Sequence, residues 1–128
     1  MIAVVEKDRR LARRLAAALA ARGCPSCVAS DCVQALGMLR AEAPCALYVS
    51  EALQRKSGGD LLAELERDER LSALPGVVRV SRRDSVFARA MRRGGLRTVV
   101  APIDVEAVAD TLARMARRRR GRSFCGRA

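Results

Sequence analysis

Short apolar runs alternate along the chain with segments whose apolar residues recur at helical spacing. Ile2 to Val5 is the first run and has the length of a buried strand. Asp8 can cap the following segment, where Leu11, Leu15, Ala18 and Leu19 repeat at three or four residues until Gly23 stops them. Ser26 to Ala29 reads as a second strand, followed by a helix carrying Val33, Leu36 and Leu39. That helix is capped by Ser30 or Asp31, and Pro44 follows its end. Cys45 to Val49 is the third strand and the most apolar.

The second half repeats the alternation. Gly59 to Leu71 combines Leu61, Leu62 and Leu65 with many charges, the pattern of an exposed amphipathic helix. Pro75 opens a strand over Gly76 to Val80, and Asp84 to Arg93 is a short helix ended by Gly94-Gly95. Leu96 to Val100 is the fifth strand. Asp104 then caps a helix with Val105, Val108, Leu112 and Met115 on one face, which leads into an arginine block. Five strand-helix repeats imply an α/β fold, a single doubly wound parallel sheet with helices on both faces. Right-handed crossovers leave few topologies for it.

Composition narrows the class. A chain of 128 residues is one domain with room for a core. The core is aliphatic, because Tyr48, Phe87 and Phe124 are the only aromatic residues. No apolar run approaches the roughly 20 residues of a membrane span, and the start lacks a signal-peptide pattern, so the expected location is cytoplasmic. The net charge of +11 is uneven: all 14 acidic residues precede position 113, while seven arginines follow it. Residues 1–116 therefore read as the domain and 117–128 as an Arg-rich tail, disordered or a linker.

Five cysteines in a chain without an export signal are read as reduced thiols. Cys24-Pro25-Ser26-Cys27 has the C-x-x-C spacing of redox and zinc sites, but the second half of a zinc ribbon is missing and histidine is absent. On one strand the two thiols would face opposite sides of the sheet, so small buried hydrophobes are the expected role. Neither a metal nor a cofactor is expected.

In a parallel sheet, ligands bind beyond the carboxyl ends of the strands. That places Glu6-Lys7-Asp8, Ser50-Glu51, Ser81 and Ala101-Pro102 in view. Neither a G-x-G-x-x-G nor a G-x-x-x-x-G-K-[ST] loop follows any strand, and the lack of histidine excludes a Ser-His-acid triad. Ser50 has no base to activate it: Glu51 is adjacent, and consecutive residues leaving a strand point apart. Ser50 reads as a small polar filler rather than a nucleophile, and no enzyme activity is expected.

The stretches Ala3-Val4-Val5-Glu6-Lys7-Asp8, Gly23 through Val28-Ala29-Ser30-Asp31, Pro44 through Ser50, Gly58-Gly59-Asp60-Leu61-Leu62 and Val99-Val100-Ala101-Pro102-Ile103-Asp104 resemble the receiver domain of bacterial two-component response regulators. The resemblance covers residues 1 to about 116. It implies a flavodoxin-like sheet of strand order 2-1-3-4-5 and Mg²⁺-dependent phosphoryl transfer from a histidine kinase to an aspartate ending strand three. By the same resemblance, two acidic residues after strand one hold the metal, a Ser/Thr after strand four binds the phosphoryl group, and a lysine before a proline after strand five pairs with it. The matching positions here are Glu6 and Lys7, with Asp8 beside them, Ser50 in the acceptor position, Ser81 as the nearest hydroxyl, and Ala101 in the lysine position. Thr98 takes the aromatic switch position.

One glutamate beside a lysine is a poor Mg²⁺ site, since the ion wants oxygen ligands and displaces its waters reluctantly. The Lys7 ammonium either pairs with Glu6 where the metal would sit or extends into solvent. The resemblance therefore implies a degenerate receiver, acting in signal transduction as a phosphorylation-independent interaction module. Its partners would be other signalling proteins or a second copy, docking on the face of the fourth helix, fifth strand and fifth helix. Exposed candidates there are Phe87, Met91, Arg92, Arg93, Arg97 and Thr98. Two alternatives stand beside this reading. One is a working phosphorelay receiver with a divergent site. The other is a nucleic-acid binder using Arg117, Arg118, Arg119, Arg120 and Arg122, whose attraction to phosphates would depend steeply on salt.

Overall fold

The computed structural model describes residues 1–53 and 58–125. Five strands, β1 (Ile2–Val5), β2 (Ser26–Ala29), β3 (Ala46–Ser50), β4 (Gly76–Val80) and β5 (Arg97–Val100), form one parallel sheet in the order β2-β1-β3-β4-β5. The helices are α1 (Arg9–Ala20), α2 (Cys32–Glu42), α3 (Gly58–Glu66), α4 (Val86–Arg93) and α5 (Val105–Cys125). This is the fold class and strand order that the pattern and the resemblance imply.

Local chemistry starts the helices where the sequence places them. Carboxylates of Asp8, Asp31 and Asp104 accept from the N–H groups of Leu11, Gln34 and Ala107 at 3.1, 2.9 and 3.1 Å. Each satisfies a backbone donor that the first helical turn leaves free. Gly76 opens β4 because a Cβ there would lie 2.7 Å from the Leu47 carbonyl oxygen of the neighbouring strand.

Two aliphatic cores sandwich the sheet. On one side Ile2, Val4, Ala46, Tyr48 and Val77 pack against Leu15 and Leu19 of α1 and Val108 and Leu112 of α5. On the other, Ala3, Val5, Leu47, Val49 and Val78 pack against α2, α3 and α4. Cys24 joins the first core and Cys27 packs against the second, so the C-x-x-C pair is divided between the faces, and both residues are free thiols.

Several boundaries shift by one residue, and three depart further from the pattern reading or change a cap. α3 ends at Glu66 rather than Leu71, because the Asp68 side chain accepts from Arg70 N–H at 2.9 Å and turns the chain before Leu71 and Leu74 bury. α4 begins at Val86, since Ser85 and not Asp84 supplies the cap to Ala88 N–H at 3.0 Å. The arginine block, read as a disordered or linker tail, is helical through Cys125. Arginine is a good helix former and its charge suits a helix C-terminus, while the fully buried Ala116 anchors the preceding turn. Among the described residues, no helix is long and apolar enough to cross a membrane.

Candidate functional site

The strand register builds a row of three polar residues at the carboxyl end of the sheet. Val5 aligns with Val49, so Glu6 follows β1 beside Ser50, and Ser50 aligns directly with Arg79 of β4. Tyr48 lies two residues before Ser50 and therefore on the same face. Glu6 and Ser50 are 1% exposed.

Burial at that level demands partners, and Glu6 has them on both oxygens. Oε1 accepts from the Tyr48 hydroxyl at 2.9 Å and lies 2.9 Å from Arg79 Nη2. Oε2 accepts from Arg79 Nη2 at 3.0 Å and from Asp8 N–H at 3.1 Å. The same Nη2 donates to Ser50 Oγ at 3.0 Å. One guanidinium nitrogen thus ties the ends of three strands together. Arg79 Nε is buried without a partner among the described residues. Burial, and then the Glu6 charge beside it, pushes the Tyr48 hydroxyl well above its usual range.

Sequence reasoning missed Arg79. It was read as one residue of an apolar strand, yet a cation inside a strand buried on both faces calls for a buried carboxylate nearby, and that signal was available. The pairing considered for Lys7 is corrected: Lys7 is exposed and makes no ion pair among the described residues. Residues following one another out of a strand point to opposite sides, so Glu6 turns inward and Lys7 turns out.

The side chains of the remaining strand-end residues do not converge on this row. Asp8 is committed to capping α1. Ser81 is exposed, and its Oγ donates to Glu51 Oε2 at 2.7 Å, with a backbone bond to the same oxygen at 3.1 Å. Ala101 is exposed and precedes Pro102 through a cis peptide.

The donor set does not fit Mg²⁺. Among the described residues no three His, Cys, Asp or Glu side chains cluster to hold a metal. The one buried carboxylate of the row already accepts from Tyr48, Asp8 and Arg79, and a guanidinium sits against it where an oxygen-ligated cation would need room.

The α4–β5 surface also differs from expectation. Phe87 and Met91 are partly buried against the second core rather than exposed, because α4 turns its apolar side to the sheet. Val86, at 84% exposed, is the large apolar residue that α4 presents, with Arg93 and Arg97 also exposed. Arg92 Nη1 donates to Arg83 O at 3.0 Å and to Thr98 Oγ1 at 3.2 Å, tying the loop before α4 to β5. Beyond α4 and β5, Arg117 and Arg118 are exposed, and Arg119 Nη1 donates to Ala73 O at 3.1 Å. The side chains of Arg120 and Arg122 lie outside the described residues.

No family model matches the chain, and no curated protein is similar to it in sequence. Solved structures are similar in fold. A sensor protein from Polaromonas sp. JS666 is 26% identical with a TM-score of 0.79, the match covering 92% of this chain and 96% of that one. The receiver domain of NtrX from Brucella abortus is 22% identical with a TM-score of 0.79, over 91% of this chain and 98% of that one. A CheY-like response regulator receiver domain protein from Methanospirillum hungatei JF-1 is 12% identical with a TM-score of 0.80, over 94% of this chain and 96% of that one. The chain is a receiver domain in fold.

Proposed function

We propose that this receiver-type domain serves a cytoplasmic signalling pathway as a phosphorylation-independent protein-interaction module and not as an enzyme. The observation that carries this reading is the position of Arg79 Nη2, 3.0 Å from Ser50 Oγ and 3.0 Å from Glu6 Oε2. An internal cation there balances the buried carboxylate without a metal, and a serine hydroxyl accepting its hydrogen bond has no base to make it a nucleophile. Partner binding or protein abundance, rather than a phosphoryl group, would then regulate output. The face formed by α4, β5 and α5 remains the candidate docking surface for another signalling protein or a second copy, with Val86 as its apolar point.

An amide NMR titration tests the reading, first with Mg²⁺ and then with Mg²⁺ and beryllofluoride. No saturable shift at Glu6, Ser50, Ser81 or Ala101 is expected. Saturable shifts at those residues would overturn it in favour of a working phosphorelay receiver.

A further inference from the structure

A second surface lies away from the α4–β5–α5 face. Arg9, Arg10, Arg13 and Arg14 are all exposed on the first half of α1, and none makes an ion pair among the described residues. The first turn of α1 holds no acidic residue, and at the positive end of the helix dipole the capping Asp8 carboxylate sets a single negative charge against these four cations. Local energetics disfavour that placement. Their charge is left available to an external anion.

Beside them runs a groove of ≈ 380 Å³ between α1 and the edge strand β2. Arg9 and Arg13 stand one helical turn apart on its wall, Ala12 and Ala16 leave it open through their small side chains, and Val28 reaches it from β2. Val28 is 50% exposed, and Val33 in the first turn of α2 is 61% exposed. These are two of the three large apolar side chains that the described residues expose. The carboxylate in the groove wall, Glu6, is already bound to Arg79 and Tyr48. β2 pairs only with β1, so the outer side of the groove is the free edge of the sheet.

We propose that this α1–β2 groove docks a partner protein through a segment in which carboxylates flank an aliphatic or aromatic side chain. The arginine pair recognises the carboxylates, and Val28 with Ala16 receives the apolar group. An apolar floor with no aromatic residue to stack on bases favours a protein over a nucleic acid. The proposal stands on the groove alone and does not require the strand-end pocket to be silent.

Fluorescence anisotropy on the full chain tests it, with a labelled peptide in which glutamates flank a single leucine. Saturable binding is expected, weakened roughly tenfold by the pair Arg9→Gln and Arg13→Gln and by exchanging the peptide's leucine for serine. The pair Arg67→Gln and Arg70→Gln, exposed beyond α3, should leave it unchanged. The melting temperature of the α1 variant should stay level or rise, because the cations it removes oppose the helix dipole. Absence of saturable binding would overturn the proposal, as would equal weakening by the Arg67 and Arg70 pair or undiminished binding of the serine peptide. Displacement of the peptide by duplex DNA at lower concentration than by the same peptide unlabelled would overturn it in favour of a nucleic acid.

Discussion

Ser50 and Arg79 are register partners on adjacent strands, and the guanidinium of one donates to the hydroxyl of the other at 3.0 Å while also holding Glu6. A cation near the carboxyl end of one strand thereby neutralises a carboxylate at the end of another, two strands away.

Removing Arg79 alone leaves a buried glutamate with an uncompensated charge. Arg79→Ala is expected to lower the unfolding free energy by about 3 kcal/mol, read by urea denaturation. Adding Glu6→Gln to that variant should recover much of the loss, because the charge left unpaired is gone. Equal stability of the single and double variants would show that the ion pair does not govern this end of the sheet.

Tyr48 gives the site a pH signature. Burial and the neighbouring Glu6 raise its phenolic pKa, so folded and unfolded states both hold the proton below pH ~10. Above that, the unfolded chain releases the proton and the folded protein keeps it, and stability falls as pH rises. Denaturation midpoints should decline on the alkaline side, and Tyr48→Phe should flatten the decline while costing about 1 kcal/mol at neutral pH for the lost bond to Glu6. An alkaline limb identical in both proteins would refute the assignment.

Rebuilding oxygen ligands should create what the present row cannot hold. The combination Lys7→Asp, Ser50→Asp and Arg79→Val places three carboxylates, with Glu6, around the strand ends and removes the guanidinium. Mg²⁺ is expected to raise the melting temperature of that variant and to leave the natural chain unchanged. Lys7→Asp and Ser50→Asp without the change at Arg79 should respond less, since the internal cation still competes.

Gly76 tests the packing of the sheet rather than the site. Gly76→Ala drives a Cβ to 2.7 Å from the Leu47 carbonyl, a backbone atom that cannot swing aside. A loss of about 1–3 kcal/mol is expected by thermal or urea unfolding, with β3 and β4 forced apart.

The strand-helix alternation was legible because each element carries its own signal. Asp8, Asp31 and Asp104 announce helix starts, and runs such as Ile2–Val5 cannot be anything but buried. The polar row was half legible. Glu6 and Ser50 follow from their places at strand ends, but Arg79 matters only through lateral register with Ser50, which no local window contains. Lys7 is weighed as a partner of Glu6 because the two match the family's acidic pair, beside the alternative of a solvent-exposed lysine, and strand alternation, which sends them to opposite sides, decides for the second. Phe87 and Met91 are placed on the surface by resemblance to the partner faces of receiver domains, whereas their own i, i+4 spacing puts both on one side of α4, the side that meets the sheet.

The cation that balances Glu6 is bonded into the backbone of β4. An ion drawn from solution comes and goes with its supply, and a pocket built on one reports on the medium around it. Here the counter-charge arrives with the ribosome's product and leaves only by mutation, so the electrostatic state of this strand end is a fixed trait of the gene rather than a variable of the cell.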